Sequence, residues 1–334
     1  MNSHATTTMM RAALVTRYGA PEVLRIAEVP RPEPKSGELR IRVHATTVSS
    51  GDARVRSITV PTGFRLLMML ALGWRGPRQP VLGIELAGTV DSVGAGVTRF
   101  RVGDAVIAYP GASMRAHAEY VTISENGSVI PKPDHLDFEQ AAALCFGGLT
   151  ALHYLVTTAH VKAGERVLIL GASGAVGLAA VQIARHRGAV VTAVCSGANA
   201  ELVRDAGAEH VIDYAKDDFT KNGQHYDIVM DCIGVTSYGE SARSLARGGR
   251  LLRVVAPLAG QIAALWQGRL SGHRVFAPVS PGHVADMRTL AELSRTGAYR
   301  PVIDSRYPLE RIAAAHARVD SKRKRGSVVV TMAA

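Results

Sequence analysis

Hydrophobic and polar positions divide the chain into two patterns. In the first third, short apolar segments between glycine and proline breaks predict strands at Glu38–His44, Leu86–Val93 and Asp104–Ala108. Farther along, the continuous apolar run Val167–Gly171 predicts a buried strand. In Ala175–His186, apolar residues recur every three or four positions, which predicts a helix. The chain therefore changes from a β-rich region to one that mixes strands with helices.

Strands and helices continue to alternate after this point. We expect strands at Ala189–Cys195, His210–Tyr214, Tyr226–Ile233 and Arg250–Ala256, and a helix at Ala200–Ala206 that Gly207 ends. Such alternation with apolar strands predicts an α/β fold with a doubly wound parallel sheet of the Rossmann type beside a β-rich domain. Helices at Val284–Thr296 and Leu309–Val319 and a strand at Ser327–Met332 are expected to return to the β-rich domain.

Composition narrows the class of protein. The chain has 334 residues, 47% of them hydrophobic, which is enough for two packed domains and excludes global disorder. Its cysteines are Cys145, Cys195 and Cys232, without a C-x-x-C pair, so we expect a reducing cytoplasmic location. The net charge of +11 favours an anionic partner, either a cofactor with phosphates or a nucleic acid.

The most apolar segment is Phe64–Trp74, which Arg65 interrupts. It is shorter than the roughly 20 residues that a membrane span needs, so we expect no membrane partner. Two interpretations remain for it: a buried core helix, or a lid that forms an apolar wall with Trp266.

The segment Gly171–Gly177 follows an apolar strand and opens a helix, the context in which a glycine-rich loop binds phosphates. Gly174 would let the backbone approach a pyrophosphate, and Gly177 would let the helix pack close to the strand. The alternative is a plain tight turn. The predicted cofactor-binding residues in this loop are Ala172, Ser173, Gly174, Ala175 and Val176.

The residues after the second strand bear on the choice of cofactor. An NAD site usually has an acidic residue there, but Cys195–Asn199 contains none. Ser196 and Asn199 can donate hydrogen bonds to a 2′-phosphate, so the sequence favours NADP. The alternative is that both residues merely cap the helix at Ala200.

Motifs along nearly the whole chain carry a family resemblance. They are Tyr18–Leu24, Leu82–Gly88, Val102–Val106, Gly148–Ala151 and Gly164–Arg185. Together they resemble the medium-chain dehydrogenase/reductases, specifically their zinc-free quinone oxidoreductase (zeta-crystallin-like) branch. The match departs at Ala175, where that branch usually has glycine. The resemblance implies a GroES-like catalytic domain from residues 1–130 and 281–334, an NADP-binding Rossmann domain from 131–280, and an active site between them.

The resemblance also bears on metal binding. Alcohol dehydrogenases of the same superfamily place a zinc-binding Cys near Ser49 or Ser50 and a His before a Glu, where this chain has Ile84-Glu85. Cys145 lies near a third ligand position without partners for a zinc site. We therefore expect no metal, and expect Cys145 to be a small buried residue.

A site without metal suits the reduction of an activated double bond, because hydrogen-bond donors alone can stabilise the charge that develops on a carbonyl oxygen. The resemblance implies NADPH-dependent hydride transfer to quinones or α,β-unsaturated carbonyls that are small and apolar. It places Thr150 near the nicotinamide and Ser49 where the branch usually has Asn. Tyr109, with Tyr154 as a substitute, is a candidate for the proton donor.

Other residues are assigned with alternatives left open. The resemblance makes Tyr214 and Ile233 further cofactor contacts, although Tyr214 could equally be an ordinary strand-end aromatic. Asp52 is expected to pair locally with Arg54 or Arg56. The basic turn 320–326 is either a solvated loop or a contact to the cofactor phosphate.

The remaining alternatives concern the function itself. They are a zinc-free alcohol or aldehyde dehydrogenase, an enoyl-thioester reductase, and a non-catalytic nucleotide- or RNA-binding crystallin-like protein. Aromatic residues make up only 5% of the chain and no RNA-binding motif is present, which disfavours nucleic acid as a partner. The sequence leaves a homodimer open.

Overall fold

The secondary structure comes from a computed structural model, which describes residues 8–59, 63–255 and 257–332. The strands are β1 Met9–Val15, β2 Leu24–Pro30, β3 Glu38–Val48, β4 Leu86–Val93, β5 Ala105–Ala108, β6 Tyr120–Ser124, β7 Val129–Pro131, β8 Arg166–Leu170, β9 Val190–Cys195, β10 His210–Asp213, β11 Tyr226–Asp231, β12 Leu245–Arg253, β13 Arg274–Phe276, β14 Ile303–Pro308 and β15 Ser327–Thr331. The helices are α1 Ser50–Ser57, α2 Arg65–Leu72, α3 Phe138–Ala142, α4 Cys145–Leu152, α5 Ala175–His186, α6 Ala200–Asp205, α7 Tyr238–Arg243, α8 Leu258–Ser271, α9 Val284–Arg295 and α10 Ile312–Asp320. The predicted end of the strand at Ala256 lies outside the described residues.

One sheet is parallel throughout, with strand order β10-β9-β8-β11-β12-β13. Its first strand in the chain, β8, lies at the centre, and the order reverses between β8 and β11. In open sheets of this kind, ligands bind at the carboxyl ends of the strands near this reversal. The apolar strand β8 is buried, as the continuous hydrophobic run predicts. This arrangement confirms the doubly wound α/β part of the predicted fold.

The other large sheet has the order β14-β15-β3-β4-β5-β7, and β6 pairs with β3. Its strands come from the first part of the chain and, in β14 and β15, from the last part. The expected return of the C-terminal strand to the β-rich region is therefore present. The domain bounds that the sequence suggests, near residues 130 and 281, stay a prediction.

The segment around α2 differs from one of the two expectations. None of the residues of α2 is buried, and Leu66, Leu67 and Leu70 are each more than half exposed. The interpretation of this segment as a buried core helix is therefore wrong, because hydrophobicity alone does not determine which helix faces the core. In the described ranges, no helix combines the length and the hydropathy needed to cross a bilayer.

A pair of histidines lies in the core of the β-rich region. His117 and His316 are both fully buried, with ring centroids 5.7 Å apart. His117 donates from Nε2 to the carbonyl oxygen of Thr47 at 2.9 Å, whereas neither ring nitrogen of His316 has a partner among the described residues. Burial first, and then the charges of His117 and Arg56, hold the pKa of His316 well below its ordinary value.

This burial predicts a loss of stability in acid. Below about pH 6.5 the unfolded chain protonates His316 while the native chain does not, so the free energy of unfolding falls by up to about 1.4 kcal/mol per pH unit. Above that pH, the ring of His316 is neutral in both the native and the unfolded chain and adds no pH dependence to the free energy of unfolding. His316→Leu should remove this part of the acid slope, which urea unfolding of both proteins between about pH 7.5 and about pH 5.5 would measure. Parallel slopes for the two proteins would contradict the prediction.

Candidate active site

The loop between β8 and α5 closes tightly against β9. The N–H groups of Gly171 and Ala172 both donate to the carbonyl oxygen of Val194 at 3.1 Å. Gly171 has a φ of +74°, which glycine adopts without strain. A Cβ at Gly177 would lie 2.6 Å from the Cα of Ala172 and closer still to the carbonyl oxygen of Gly171. Glycine at 177 therefore permits the close contact between helix and loop, as the motif suggests.

The first turn of α5 is open on the other side of the loop. Gly174 precedes the helix without a side-chain cap, and the nearest atom to a Cβ there would be the Gly171 carbonyl oxygen at 3.5 Å. The N–H groups of the first helical turn lack partners within their own helix, and the helix dipole adds positive potential. Ser173, Gly174 and Ala175 are half-buried beside this turn. These groups fit the pyrophosphate of a dinucleotide.

Ser173 joins the loop to two distant parts of the chain. Its carbonyl oxygen accepts a hydrogen bond from the N–H of Gly326 at 3.0 Å, and its hydroxyl oxygen accepts one from the side-chain amide of Asn199 at 3.0 Å. Neither Ser196 nor Asn199 caps a helix with its side chain, so the capping interpretation is wrong. One N–H of the Asn199 amide is therefore used on Ser173.

The basic turn 320–326 lies beside the phosphate loop through Gly326. Lys324 donates from Nζ to the carbonyl oxygen of Gly326 at 2.7 Å, and burial lowers the pKa of Lys324 to about 8. Lys322, Arg323 and Arg325 are exposed. The turn therefore adds positive charge near the pyrophosphate end of the cofactor site.

An acidic residue that the sequence search missed lies at the end of β10. A Cβ at Gly197, in the loop after β9, would lie 2.5 Å from Oδ2 of Asp213. Asp213 pairs in register with Cys195, the last residue of β9. Tyr214, the next residue, is 66% exposed at the same edge. The residues directly after β9 include no acid, but parallel strands end side by side, so the neighbouring strand β10 brings a carboxylate to this edge.

Ile233 lies against the phosphate loop and is held there by Asp231. A Cβ at Gly171 would lie 2.7 Å from Cγ2 of Ile233, which is 52% exposed. Asp231 is fully buried and accepts hydrogen bonds from the N–H groups of Ile233, Gly234 and Thr236 at 3.1, 2.7 and 3.1 Å. The carboxylate thus shapes the loop after β11, and an acid at a strand end is the only sign of this role in the sequence.

Helix α4 contacts the start of α5. A Cβ at Gly147 would lie 2.6 Å from the carbonyl oxygen of Ala175, so the two helices touch at the first turn of α5. One turn farther along α4, the hydroxyl of Thr150 donates to the carbonyl oxygen of Phe146 at 2.8 Å. Thr150 therefore lies on the helix that contacts the predicted cofactor loop, one turn beyond the contact.

Glu85 connects the β-rich sheet to α4. It is 1% exposed, accepts a hydrogen bond from the hydroxyl of Thr47, and accepts another from the N–H of Phe146 at 2.5 Å. Burial raises the pKa of Glu85 to about 7, although these hydrogen bonds oppose the shift. In the sequence, Glu85 stands out only as part of an incomplete zinc motif, and its neighbours along the chain do not indicate that it connects two elements of the site.

Ser49 and Asp52 form a closed pair at the start of α1. The Ser49 hydroxyl donates to Oδ2 of Asp52 at 2.6 Å, and the N–H of Gly83 donates to Oδ1 at 3.0 Å. Asp52 is therefore a buried capping residue, and its predicted pairing with Arg54 or Arg56 is wrong. Arg56 instead forms an ion pair with Asp320 of α10. Asp52 takes part in the capping interaction rather than an ion pair because the start of a helix lacks partners of its own for its polar groups.

The two candidate tyrosines have different surroundings. Tyr154 is buried and donates to the carbonyl oxygens of Arg253 and Pro278 at 3.1 and 2.6 Å, so it belongs to the core. Tyr109 follows β5 and is half-buried. Burial first, and then nearby charge led by Glu85, raises the pKa of Tyr109 well above its ordinary value. The phenol of Tyr109 thus stays protonated at neutral pH, beside the Glu85 carboxyl.

Metal-binding side chains do not cluster in the described ranges. No group of three or more His, Cys, Asp or Glu residues there could hold a metal ion. Cys145 is fully buried, and burial followed by the charge on Glu85 raises its pKa well above the ordinary value of a thiol. Its thiol therefore resists the deprotonation that zinc binding requires.

Comparisons with known proteins agree with this geometry. Residues 35–134 match the family described as "Alcohol dehydrogenase GroES-like domain", and residues 206–330 match "Zinc-binding dehydrogenase". A quinone oxidoreductase from Pseudomonas aeruginosa is 32% identical over 331 residues, which cover 94% of this chain and 97% of the relative. The chain belongs to the quinone oxidoreductases of the medium-chain dehydrogenase/reductases. The family resemblance seen in the sequence is thereby confirmed, as is the GroES-like part of the fold.

Solved structures add to this result. The quinone oxidoreductase from Coxiella burnetii is 27% identical, with a TM-score of 0.86 over 97% of this chain and 99% of that one. A structure described as an NAD-dependent alcohol dehydrogenase is also 27% identical, with a TM-score of 0.82 over 97% and 100% of the two chains. As a member of the quinone oxidoreductases, this chain is an oxidoreductase that uses a nicotinamide cofactor.

Proposed function

We propose that this quinone oxidoreductase reduces quinones or α,β-unsaturated carbonyls with NADPH and without a bound metal, in a reducing cytoplasm. The observation that carries the proposal is the open first turn of α5, which contacts α4, the helix that carries Thr150 and binds Glu85 through the N–H of Phe146. The lack of a three-residue metal cluster in the described ranges supports metal independence. The buried, unpaired state of Cys145, Cys195 and Cys232 supports the reducing compartment.

The coenzyme would lie along the switch point of the parallel sheet. The first turn of α5 and Ser173 would hold its pyrophosphate, Ile233 would contact its ribose, and Ser196 and Tyr214 would contact the adenosine end. When bound, NADPH supplies the hydride for the reaction. The protein supplies orientation, and its packed helices limit water at the reacting end.

Of the three predicted catalytic side chains, Tyr109 is the best donor to a substrate carbonyl. The hydroxyl hydrogen of Ser49 is used on Asp52, and that of Thr150 is used on Phe146. The Tyr109 phenol is protonated at neutral pH, as an ordinary tyrosine is, and its raised pKa extends this state to more alkaline solution. We propose that it donates to the carbonyl oxygen on which charge develops, while Thr150 and Ser49 form the polar walls. One such donor contributes about 3 kcal/mol to transition-state stabilisation.

A preference for NADPH rests on Ser196, which lies where a 2′-phosphate would be bound, and Asp213 opposes it. We expect Asp213→Asn to raise kcat/KM for NADPH about fivefold and to change that for NADH little. Removing one like charge near a phosphate is worth about 1 kcal/mol in a partly solvated site. Asp213→Glu, which keeps the charge, is the matched control. An equal change for both coenzymes would contradict this role of Asp213.

A substrate screen tests the proposed reaction. Oxidation of NADPH should be fast with quinones and enones and slow with enoyl thioesters and aldehydes, in protein shown by metal analysis to hold no zinc. Alcohol oxidation is the second candidate, because one similar structure is described as an alcohol dehydrogenase. Strong activity on simple alcohols together with stoichiometric zinc would overturn the proposal.

A further inference from the structure

Helix α2 presents an apolar surface to solvent. Leu66, Leu67, Leu70 and Trp74 are 60%, 56%, 57% and 63% exposed, and Ala71 is exposed between them. In a helix, positions 66, 67, 70 and 71 share one side, and Trp74 follows directly at the helix end. We call these five residues the α2 face. An exposed contiguous apolar face on a chain of this kind marks an interaction surface.

The rest of α2 is anchored, which fixes the direction of the α2 face. Leu72 packs against the core of the β-rich region. At the helix end, the N–H of Gly73 donates to Met69, and the hydroxyl of Tyr18 donates to the carbonyl oxygen of Gly73 at 2.8 Å. The α2 face therefore points outward from a fixed attachment rather than into the protein.

The charged side chains next to the α2 face are all positive. Arg65 lies at its start, Arg75 and Arg78 lie beyond its end, and all three are exposed. The sequence has no acidic residue between Asp52 and Glu85, and both of those are buried. The surface is thus a strip of leucines and a tryptophan flanked by guanidinium groups, on a chain with a net charge of +11.

We propose that the α2 face docks this protein on the surface of an anionic lipid bilayer. Leucine and tryptophan side chains partition into the boundary between headgroups and acyl chains, and arginines bind phosphates and attract anionic headgroups. A second copy of the chain is a poorer occupant, because it would bring the same arginines against each other. The sequence-based expectation of no membrane partner considered only spanning segments, and surface docking needs no span.

Tryptophan fluorescence tests the contact directly, since the chain has only two tryptophans. In Trp266→Phe, Trp74 is the only one left, and we expect its emission to shift to the blue when vesicles of phosphatidylcholine and phosphatidylglycerol are added. Vesicles with brominated acyl chains should quench it. The matched variant Trp74→Phe keeps Trp266, which is 70% exposed on α8, and should show neither effect. An unchanged Trp74 signal would overturn the proposal.

Vesicle co-sedimentation of the full chain provides the second test. The double variant Leu67→Ser/Leu70→Ser should partition onto the anionic vesicles at least about tenfold less than the native chain. The control Leu270→Ser removes a leucine that is 85% exposed on α8 and should bind as the native chain does. Thermal unfolding would verify that the variants fold. Equal binding by the double variant, or a dimer in light scattering that the same substitutions abolish, would overturn the proposal.

Discussion

Replacing Gly177 with alanine is expected to reduce NADPH affinity at least about tenfold and to cost about 2 kcal/mol of unfolding free energy. The new Cβ would overlap the backbone of Gly171 and Ala172, with 2.6 Å to the Cα of Ala172. Backbone atoms cannot rotate away as a side chain does, so α5 must move off the loop. The first-turn N–H groups that would hold the pyrophosphate move with it. Urea unfolding and a fluorescence titration with NADPH measure the two effects.

Gly174→Ala is the matched control for this prediction. A Cβ at Gly174 would meet only the Gly171 carbonyl oxygen, at the ordinary distance of 3.5 Å, and the backbone there is extended. We expect its unfolding free energy to stay near the native value while coenzyme affinity falls, because the methyl group enters the open side of the loop. Native stability and native affinity in Gly177→Ala would show that the loop is not the phosphate site.

Replacing Glu85 with glutamine is expected to flatten the pH dependence of kcat/KM around neutrality. The pKa of the Glu85 carboxyl is raised to about 7, so its charge beside Tyr109 changes across this range. The variant keeps the shape of the side chain but cannot ionise. Glu85→Ala should go further and lower kcat/KM at least about tenfold, because the buried donors of Thr47 and Phe146 lose their acceptor. Steady-state kinetics from about pH 5.5 to about pH 8.5 would separate the two effects.

The raised pKa of Glu85 also predicts how the free energy of unfolding changes with pH. The folded-state pKa lies above the ordinary value of 4.5, so the contribution of neutral Glu85 is complete below 4.5 and is lost as the pH rises through about 7. At alkaline pH the free energy of unfolding of the native protein should thus be lower by up to about 3 kcal/mol, and that of Glu85→Gln should not show this decrease. His316 acts in the opposite direction and is unchanged in this comparison. A constant stability difference between the two proteins at all pH values would contradict the assignment.

The spacing of apolar residues along the chain was enough to predict several helices and strands, because that spacing is a property of each segment by itself. Helix α5 and strand β4 have the predicted bounds, since each combines a regular apolar pattern with clear end signals. The α2 segment shows the limit of this argument. Its leucines have helical spacing, but whether a helix faces the core or solvent depends on elements that are distant in the sequence.

The phosphate loop was also visible in the sequence, because its glycines have steric roles that follow from a strand, a turn and a helix. The other groups of the site depend on tertiary pairing. Asp213 reaches Gly197 from a neighbouring strand, Glu85 accepts a hydrogen bond from Phe146 of α4, and Asp52 accepts one from Gly83. Local charge rules favoured pairing Asp52 with a nearby arginine, but the N–H and the hydroxyl of Ser49 at the start of α1 bind it instead. The spacing of residues along the sequence does not show which distant residues come into contact in the fold.

The hydrogen bond from Gly326 to Ser173 has a consequence for biogenesis. During synthesis the glycine-rich turn emerges long before its partner, because about 150 residues separate Ser173 from Gly326. The loop therefore cannot form this hydrogen bond until Gly326 has left the ribosome. A truncated product that ends before Gly326 would retain the Rossmann strands yet lack the hydrogen bond to Ser173.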